Sequence, residues 1–370
     1  MSTVQSDGES LLMAMELSNR NWKLAFGNAG RMRRVNVEAG DVAGLREAIL
    51  RARQKFGLGR EVRVLSCYEA GRDGFWIHRM LEGEGVDNQV VDPASIERPR
   101  RARTVKTDRL DAEKLLEMLR RWVGGEKRVW RVVRGPTAAE EDQRYLHREL
   151  QRLKKERGGH LSRIRSLLVL HGVRVKSVGS KTAERARDWR GCELPEGVRK
   201  DLSHELDRLE LVREQIGQLE ALQKEALKVP GNKAQRMAQK LYGLRSVGPV
   251  SSWTLSHEFF AWRDFDNRRQ VGASAGLTGT PYASGQSNRD QGISKAGNAR
   301  VRHLMIELAW SWLRYQPRSE LSLWFARRFG HGTSRIRRVG IVALARKLLV
   351  ALWKYVQKDE LPQGAVLKAI

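Results

Sequence analysis

The chain has two cysteines, Cys67 and Cys192, in 370 residues. They are far apart, with no CxxC partner and no paired histidines, so a disulfide framework and a thiolate zinc site are both excluded. A reducing cytoplasm fits this usage. No apolar run reaches the roughly 20 residues that span a bilayer, which excludes a helical membrane protein. The opening MSTVQSDGES is polar and acidic, unlike a secretory or organellar signal, so the protein is expected to act where it is made. Acid is scarce relative to base: 43 Asp and Glu face 69 Lys and Arg, a formal charge of +26. That excess calls for a polyanionic partner, nucleic acid before membrane. Its spread along the chain suits a long or multi-site contact better than one anchoring patch.

At this length the chain buries sizeable cores and should hold two or three domains. Its organising stretch is residues 98–119, RPRRARTVKTDRLDAEKLLEML. Thr107 is a good N-cap, and Leu110, Leu115, Leu116 and Leu119 recur at helical spacing. On that helix Asp108 and Asp111 stand three residues apart on one face of the first turn, where both carboxylates reach a single cation. First-turn acids also complement the helix dipole with no metal at all. The upstream run Arg98, Arg100, Arg101, Arg103 and Lys106 suits phosphate and favours the chemical reading.

Before that stretch the sequence reads as strands LLMAMELSN, NWKLAFG and RRVNVEAG, then a helix capped by Asp41 and closed by Gly57. EVRVLSCYEAG is a buried strand ending at Glu69; a helix around residues 75–81 and the short strand DNQVVD follow. Three strands, helix, strand, helix, strand, helix is the ribonuclease-H-like plan, a mixed sheet with helices on both faces. There the first strand lies beside the fourth, so Glu16 and Glu69 would meet near the helix of Asp108 and Asp111. Four carboxylates together repel and need cations between them; one or two magnesium ions satisfy this and activate an oxygen of a phosphodiester. Each acid alone also has a plain reading, Glu16 as an edge-strand acid and Glu69 as a strand-end cap.

Residues 11–135 are assigned to this domain after a polar tail of 1–10. Residues 136–230 carry leucines at four-then-three spacing: Leu146, Leu150, Leu153, Leu161, Ile164 and Leu168, then Leu202, Leu206, Leu209, Ile216 and Leu219. These suit two long helices forming a coiled-coil hairpin or dimer seam, or an ordinary bundle. Residues 231–330 include, from Leu241, LYGLRSVGPVSSWTLSHEF, which looks like a helix-hairpin-helix turn whose glycines offer amides to a phosphate. A Gly- and Ser-rich loop follows with Ser284 before Gly285, then Arg289, Lys295, Arg300 and Arg302. Serine beside glycine is ordinary loop chemistry. As a nucleophile it needs a phosphate held by those cations and a base or metal to take its proton. Residues 331–370 form C-terminal amphipathic helices, with HGTSRIRR around His331 a candidate backbone contact.

CYEAGRDGFWIHRML, VVDPASIE, KTDRLDAEKL, VGPVSSWTLSHE and SGQSNRDQGISKAGNARVR together resemble, in order and over nearly the whole chain, the DEDD-type transposases of insertion-sequence family one-ten, described as bridge-RNA-guided recombinases. The resemblance implies a Holliday-junction-resolvase-like (RuvC-like) N-terminal domain, a coiled coil and a mainly α transposase domain with a catalytic serine. By motif, Glu69, Asp108 and Asp111 match three of its four metal-binding acids and Ser284 its nucleophile, with Ser287 second. Glu16 stands where the family usually has aspartate, and its extra methylene shifts the carboxylate by about a bond length. Also implied are donor and target DNA, a non-coding guide RNA, and dimers pairing into tetramers in which acids of one protomer meet the serine of another. Two rivals stand beside this: a metal-only nuclease or junction resolvase in which water attacks, and a non-catalytic transposase-derived nucleic-acid-binding protein.

Overall fold

The computed structural model describes residues 10–71, 73–93, 95–96, 111–284 and 287–368. It divides into two compact units, Met1–Ala139 and Glu140–Ile370. No helix among the described residues is long and apolar enough to cross a membrane.

The first unit is built on strands β1 (Ser10–Leu17), β2 (Asn21–Asn28), β3 (Arg31–Glu38), β4 (Arg63–Glu69) and β5 (Val86–Val91). Their order is β3-β2-β1-β4-β5; β1, β2 and β3 pair antiparallel, whereas β1, β4 and β5 are parallel. This mixed sheet is consistent with a ribonuclease-H-like domain. Helix α1 (Val42–Phe56) begins where the Asp41 carboxylate accepts from the Gly44 amide and ends at Gly57, whose φ of 73° suits glycine. It and α2 (Trp76–Gly83) cover one face, where Leu11, Met13, Met15, Leu24, Phe26 and Tyr68 meet Leu45, Ala48, Ile77 and Leu81. Helix α3 (Asp111–Val123) covers the other, with Leu115, Leu116 and Leu119 on Leu12, Ala14, Ala25, Leu65 and Cys67. That face carries small residues because the helix lies close. A Cβ on Gly27 would stand 3.2 Å from Leu116 and 2.7 Å from the Arg120 guanidinium.

In the second unit a short helix α4 (Ala138–Asp142), which begins at the division, precedes the long α5 (Tyr145–Val169). After the single turn α6 (Thr182–Arg185) comes α7 (Glu196–Lys228). Leu150 and Leu153 near the start of α5 pack on Val212 and Ile216 late in α7, while Ile164 and Leu168 pack on Leu202, Leu206 and Leu209. The two long helices therefore run antiparallel, and their leucine stripes face each other within one chain. Helices α8 (Lys233–Tyr242), α9 (Pro249–Leu255), α10 (Arg268–Ser274), α11 (Ala299–Tyr315), α12 (Glu320–Phe329) and α13 (Ser334–Lys358) enclose the largest core, around Phe259, Phe260, Met305, Trp312 and Leu348. Between α10 and α11 the expected Gly- and Ser-rich loop is instead an antiparallel hairpin, β6 (Gly279–Ser284) and β7 (Ser287–Ile293). Its weak apolar alternation hid the two strands.

Candidate functional site

The parallel register Ala14 with Cys67 and Met15 with Tyr68 sets Glu16 and Glu69 one step further along neighbouring strands. Side chains alternate along a strand, so Glu16 shares the face of Leu12 and Ala14, and Glu69 that of Leu65 and Cys67. Both thus lie on the face that α3 covers. The direction of α3 follows from its contacts: the Leu115 carbonyl meets Cys67 Sγ at 3.8 Å, and farther down the Arg120 guanidinium donates to the Arg31 carbonyl at 3.0 Å, beside the start of β1. The helix runs opposite to β1. Nine residues of helix from Arg120 back to Asp111 rise about 13 Å, and four strand residues from Leu12 to Glu16 span about the same. Asp111 therefore opens α3 at the sheet edge that carries Glu16 and Glu69.

Glu16 is half-buried, and both its oxygens accept from the Lys23 ammonium at 3.2 Å across the β1–β2 pair. This carboxylate is thus already paired with a cation of the protein itself. Burial pushes the Cys67 thiol up and the charge on Glu69 adds to it, so this thiol stays protonated and inert. Among the described residues no cluster of three metal-ligating side chains closes. Asp108, and with it Arg98, Arg100, Arg101, Arg103 and Lys106, lies outside the described residues, as does the expected cap Thr107; Asp111 is described by its backbone alone.

In the second unit Ser284 is the last residue of β6 and pairs with Ser287, and Arg289 on β7 pairs with Tyr282; these are backbone positions. The base of the hairpin is tightly held. Ser294 N–H donates to the Thr278 carbonyl at 2.8 Å, Lys295 N–H to Gly276 at 3.2 Å and Asn298 N–H to Ser274 at 2.8 Å, after which the Asn298 side chain caps α11. Arg302, half-buried, donates from Nη1 to the Lys295 and Ala275 carbonyls at 2.9 and 3.3 Å, fastening the same turn. Lys295 is exposed at a φ of 55°. Gly297 sits at a φ of 97°, and a Cβ there would fall 2.3 Å from the Ser274 carbonyl oxygen. Gly297→Ala is expected to cost about 3 kcal/mol, read as a lower urea midpoint with an unchanged m-value.

One buried acid belongs to no motif singled out in the sequence. Glu258 is 2% exposed and lies in a π-helical turn, Ser256–Phe260, that follows α9 directly. From α5, Arg148 grips it through Nε at 2.6 Å and Nη2 at 3.1 Å, and His147 donates from Nε2 at 3.0 Å; Arg300 of α11 stands 3.6 Å away. Burial alone raises this carboxyl, but the His147 and Arg148 hydrogen bonds and charges outweigh it and hold it well below the carboxylate range. Glu258 thereby ties the start of α5 to the start of α11, beside the hairpin base. Arg300 also donates to Gln151 at 3.1 Å.

The turn at 243–248 is bound to the C-terminal segment. Its Gly243, Leu244, Arg245 and Val247 amides donate to protein carbonyls, and the Lys368 ammonium meets the Tyr242 and Val247 carbonyls at 2.6 and 2.8 Å. Those four amides are engaged within the protein rather than free for a phosphate.

A mixed sheet with acids along one edge, joined in sequence to a strongly basic helical unit, defines a protein that acts on nucleic acid. Residues 238–322 match the family model described as Transposase IS116/IS110/IS902 family. The chain is 41% identical over 387 aligned residues, 99% of its length and 97% of the relative's, to "Putative transposase y4rJ" of Sinorhizobium fredii (strain NBRC 101917 / NGR234). It is 27% identical to the transposase for insertion sequence element IS1111A of Coxiella burnetii, over 76% of its own length and 75% of that protein's. The chain belongs to the IS116/IS110/IS902 transposase family.

Proposed function

We propose that this transposase is an RNA-guided DNA recombinase that cuts and rejoins strands through a phosphoserine intermediate. The observation that carries the reading is the convergence of Glu16, Glu69 and the Asp111 end of α3 at one sheet edge. Asp108, one helical turn before Asp111 in sequence, is assigned to the same group. The donor set is all carboxylate oxygen, which suits a hard divalent cation such as magnesium. Magnesium, when bound there, supplies charge neutralisation and Lewis acidity at the phosphodiester.

The remaining chemistry belongs to the chain. Ser284 Oγ bonds to phosphorus as the strand's own P–O bond breaks, and the serine proton ends on the departing hydroxyl. One phosphate ester replaces another, so rejoining is the same exchange in reverse with the partner strand's hydroxyl. Arg289, Lys295 and Arg300 are assigned to the scissile phosphate and its neighbours; Arg302 supports them from the hairpin base. The guide RNA selects donor and target DNA by base pairing, leaving the protein to hold backbones, which its diffuse positive charge suits. Protomers pair as dimers and then tetramers, the acids of one meeting the serine of another.

The test is a covalent-adduct assay with purified protein, magnesium, RNA transcribed from the DNA flanking the gene, and labelled element-junction DNA on a denaturing protein gel. A labelled protein band is expected, lost when either RNA or magnesium is omitted. Cleaved DNA with no adduct makes the protein a hydrolytic nuclease, and an adduct indifferent to RNA removes the guide from the mechanism.

A further inference from the structure

Residues 321–358 contain no aspartate or glutamate, but they carry Arg327, Arg328, Arg335, Arg337, Arg338, Arg346, Lys347, Lys354 and Lys358. Helices α12 and α13 meet within this stretch, joined by the four residues Gly330, His331, Gly332 and Thr333. The joint is close-packed: a Cβ on Gly340 would lie 2.5 Å from the Phe329 ring, and one on Gly332 would lie 2.6 Å from Ile336. Lys347 lies 4.6 Å over the Trp324 ring, fixing the two helices further. Beyond the joint, every residue from Thr333 to Val339 is exposed, so the first turns of α13 stand clear of the core. Arg328, Arg335, Arg337 and Arg338 have no carboxylate partner among the described residues, whereas Arg327 has Glu320 at 3.7 Å. Ile336 and Val339, 46% and 62% exposed, are apolar side chains left in water among these arginines.

We infer that the exposed start of α13, with Arg328 of α12, is a docking surface for duplex DNA. The inference rests on the transposase reading above and adds the surface that holds the duplex. Charge complementarity selects a polyanion, because no acid on this stretch opposes it. The shape selects the B form. A helix with side chains is about 10–12 Å across and enters a major groove about 12 Å wide, whereas the A-form major groove of RNA is too narrow and deep. Arg335, Arg338 and Val339 share one side at helical spacing, so the arginines reach phosphates while Val339 and Ile336 meet the apolar edges of bases.

The test uses the full chain and a 30-base-pair duplex DNA carrying the element end, with binding read by fluorescence anisotropy across a salt series. Arg335→Ala with Arg338→Ala is expected to weaken binding about tenfold or more at 150 mM salt. It should also lower the slope of log affinity against log salt by about 2, since each phosphate contact contributes about 0.9. The melting temperature should stay unchanged, because both side chains are exposed, and Arg335→Lys with Arg338→Lys should keep the slope. An RNA duplex of the same sequence should bind the variant and the wild-type protein alike. Unchanged DNA affinity and slope overturn the inference, and an equal loss on the RNA duplex makes the surface an RNA contact instead. Failure of the recombinase reading is distinguishable, since it appears as absence of the covalent adduct from the wild-type protein itself.

Discussion

Ser284→Ala is expected to abolish the labelled protein–DNA band, while Ser287→Ala keeps it. The two serines are backbone partners in the last pair of the hairpin, and the motif resemblance assigns the ester-forming oxygen to Ser284. Glu69→Gln and Asp111→Asn should each lower strand cleavage on the order of a thousandfold, because each removes a ligand that helps stabilise transition-state charge worth several kcal/mol. Glu16→Gln should cost less. Its carboxylate is already shared with Lys23, so its loss removes the acid best compensated by the protein itself. A purely structural role for these acids predicts lower melting temperatures in all three variants. A metal-binding role predicts instead a change that depends on the ion. The stabilisation by added magnesium shrinks. Activity and magnesium-dependent melting measured on the same preparations separate the two.

The placement of Glu16 and Glu69 on neighbouring strands was readable in the sequence because strand alternation is a local signal. LLMAMEL and VRVLSCYE each fix which of their residues share a face, and the order of elements puts the first strand beside the fourth. The structure adds what register alone supplies, the Lys23 ammonium opposite Glu16. Glu258 was not readable. It sits in SHEFF, which scans as the end of a helix, and its partner Arg148 lies 110 residues earlier. A buried acid declares itself only through partners that the fold brings to it. The same limit applies to Arg302, which reads as a phosphate cation but fastens two carbonyls of the hairpin base. It applies also to the turn at 243–248, whose amides and carbonyls are claimed by contacts within the second unit, Lys368 among them. Hairpin β6–β7 was missed for a different reason: its strands are polar and glycine-bearing in sequence, and backbone pairing defines them.

Glu258→Gln is expected to destabilise the second unit by about 3–5 kcal/mol, the usual cost of removing one partner from a buried ion pair, and to lower its melting temperature on the order of 10 °C. The loss reflects the Arg148 guanidinium and His147 N–H left facing a neutral amide more than the worth of the pair. Replacing Arg148 and Glu258 together by methionine should therefore recover part of it, and a double-mutant cycle measures how much. The same cluster makes the unit acid-labile, and the sign is fixed by the tautomers. His147 donates from Nε2 to Glu258 and its buried Nδ1 has no partner; His257 bonds the Trp253 carbonyl through Nδ1 at 3.0 Å and its buried Nε2 has none. Both rings are therefore neutral, and a second proton on either would be buried without an acceptor. Burial lowers both, His257 to about 4, while the unfolded chain protonates near 6.5. The unfolded state thus binds more protons, and stability present above pH 6.5 is lost as pH falls toward 4, about 3 kcal/mol from His257 alone. Glu258 adds the same sign below its unfolded value of 4.5, since its folded value is depressed. Calorimetric melting from pH 7.5 to pH 4 should show this decline. His257→Asn, which keeps a donor toward the Trp253 carbonyl, should start less stable at pH 7.5 and fall less on the way down. A wild-type melting temperature that is flat from pH 6.5 to pH 4 would mean that these histidines titrate as they do in water.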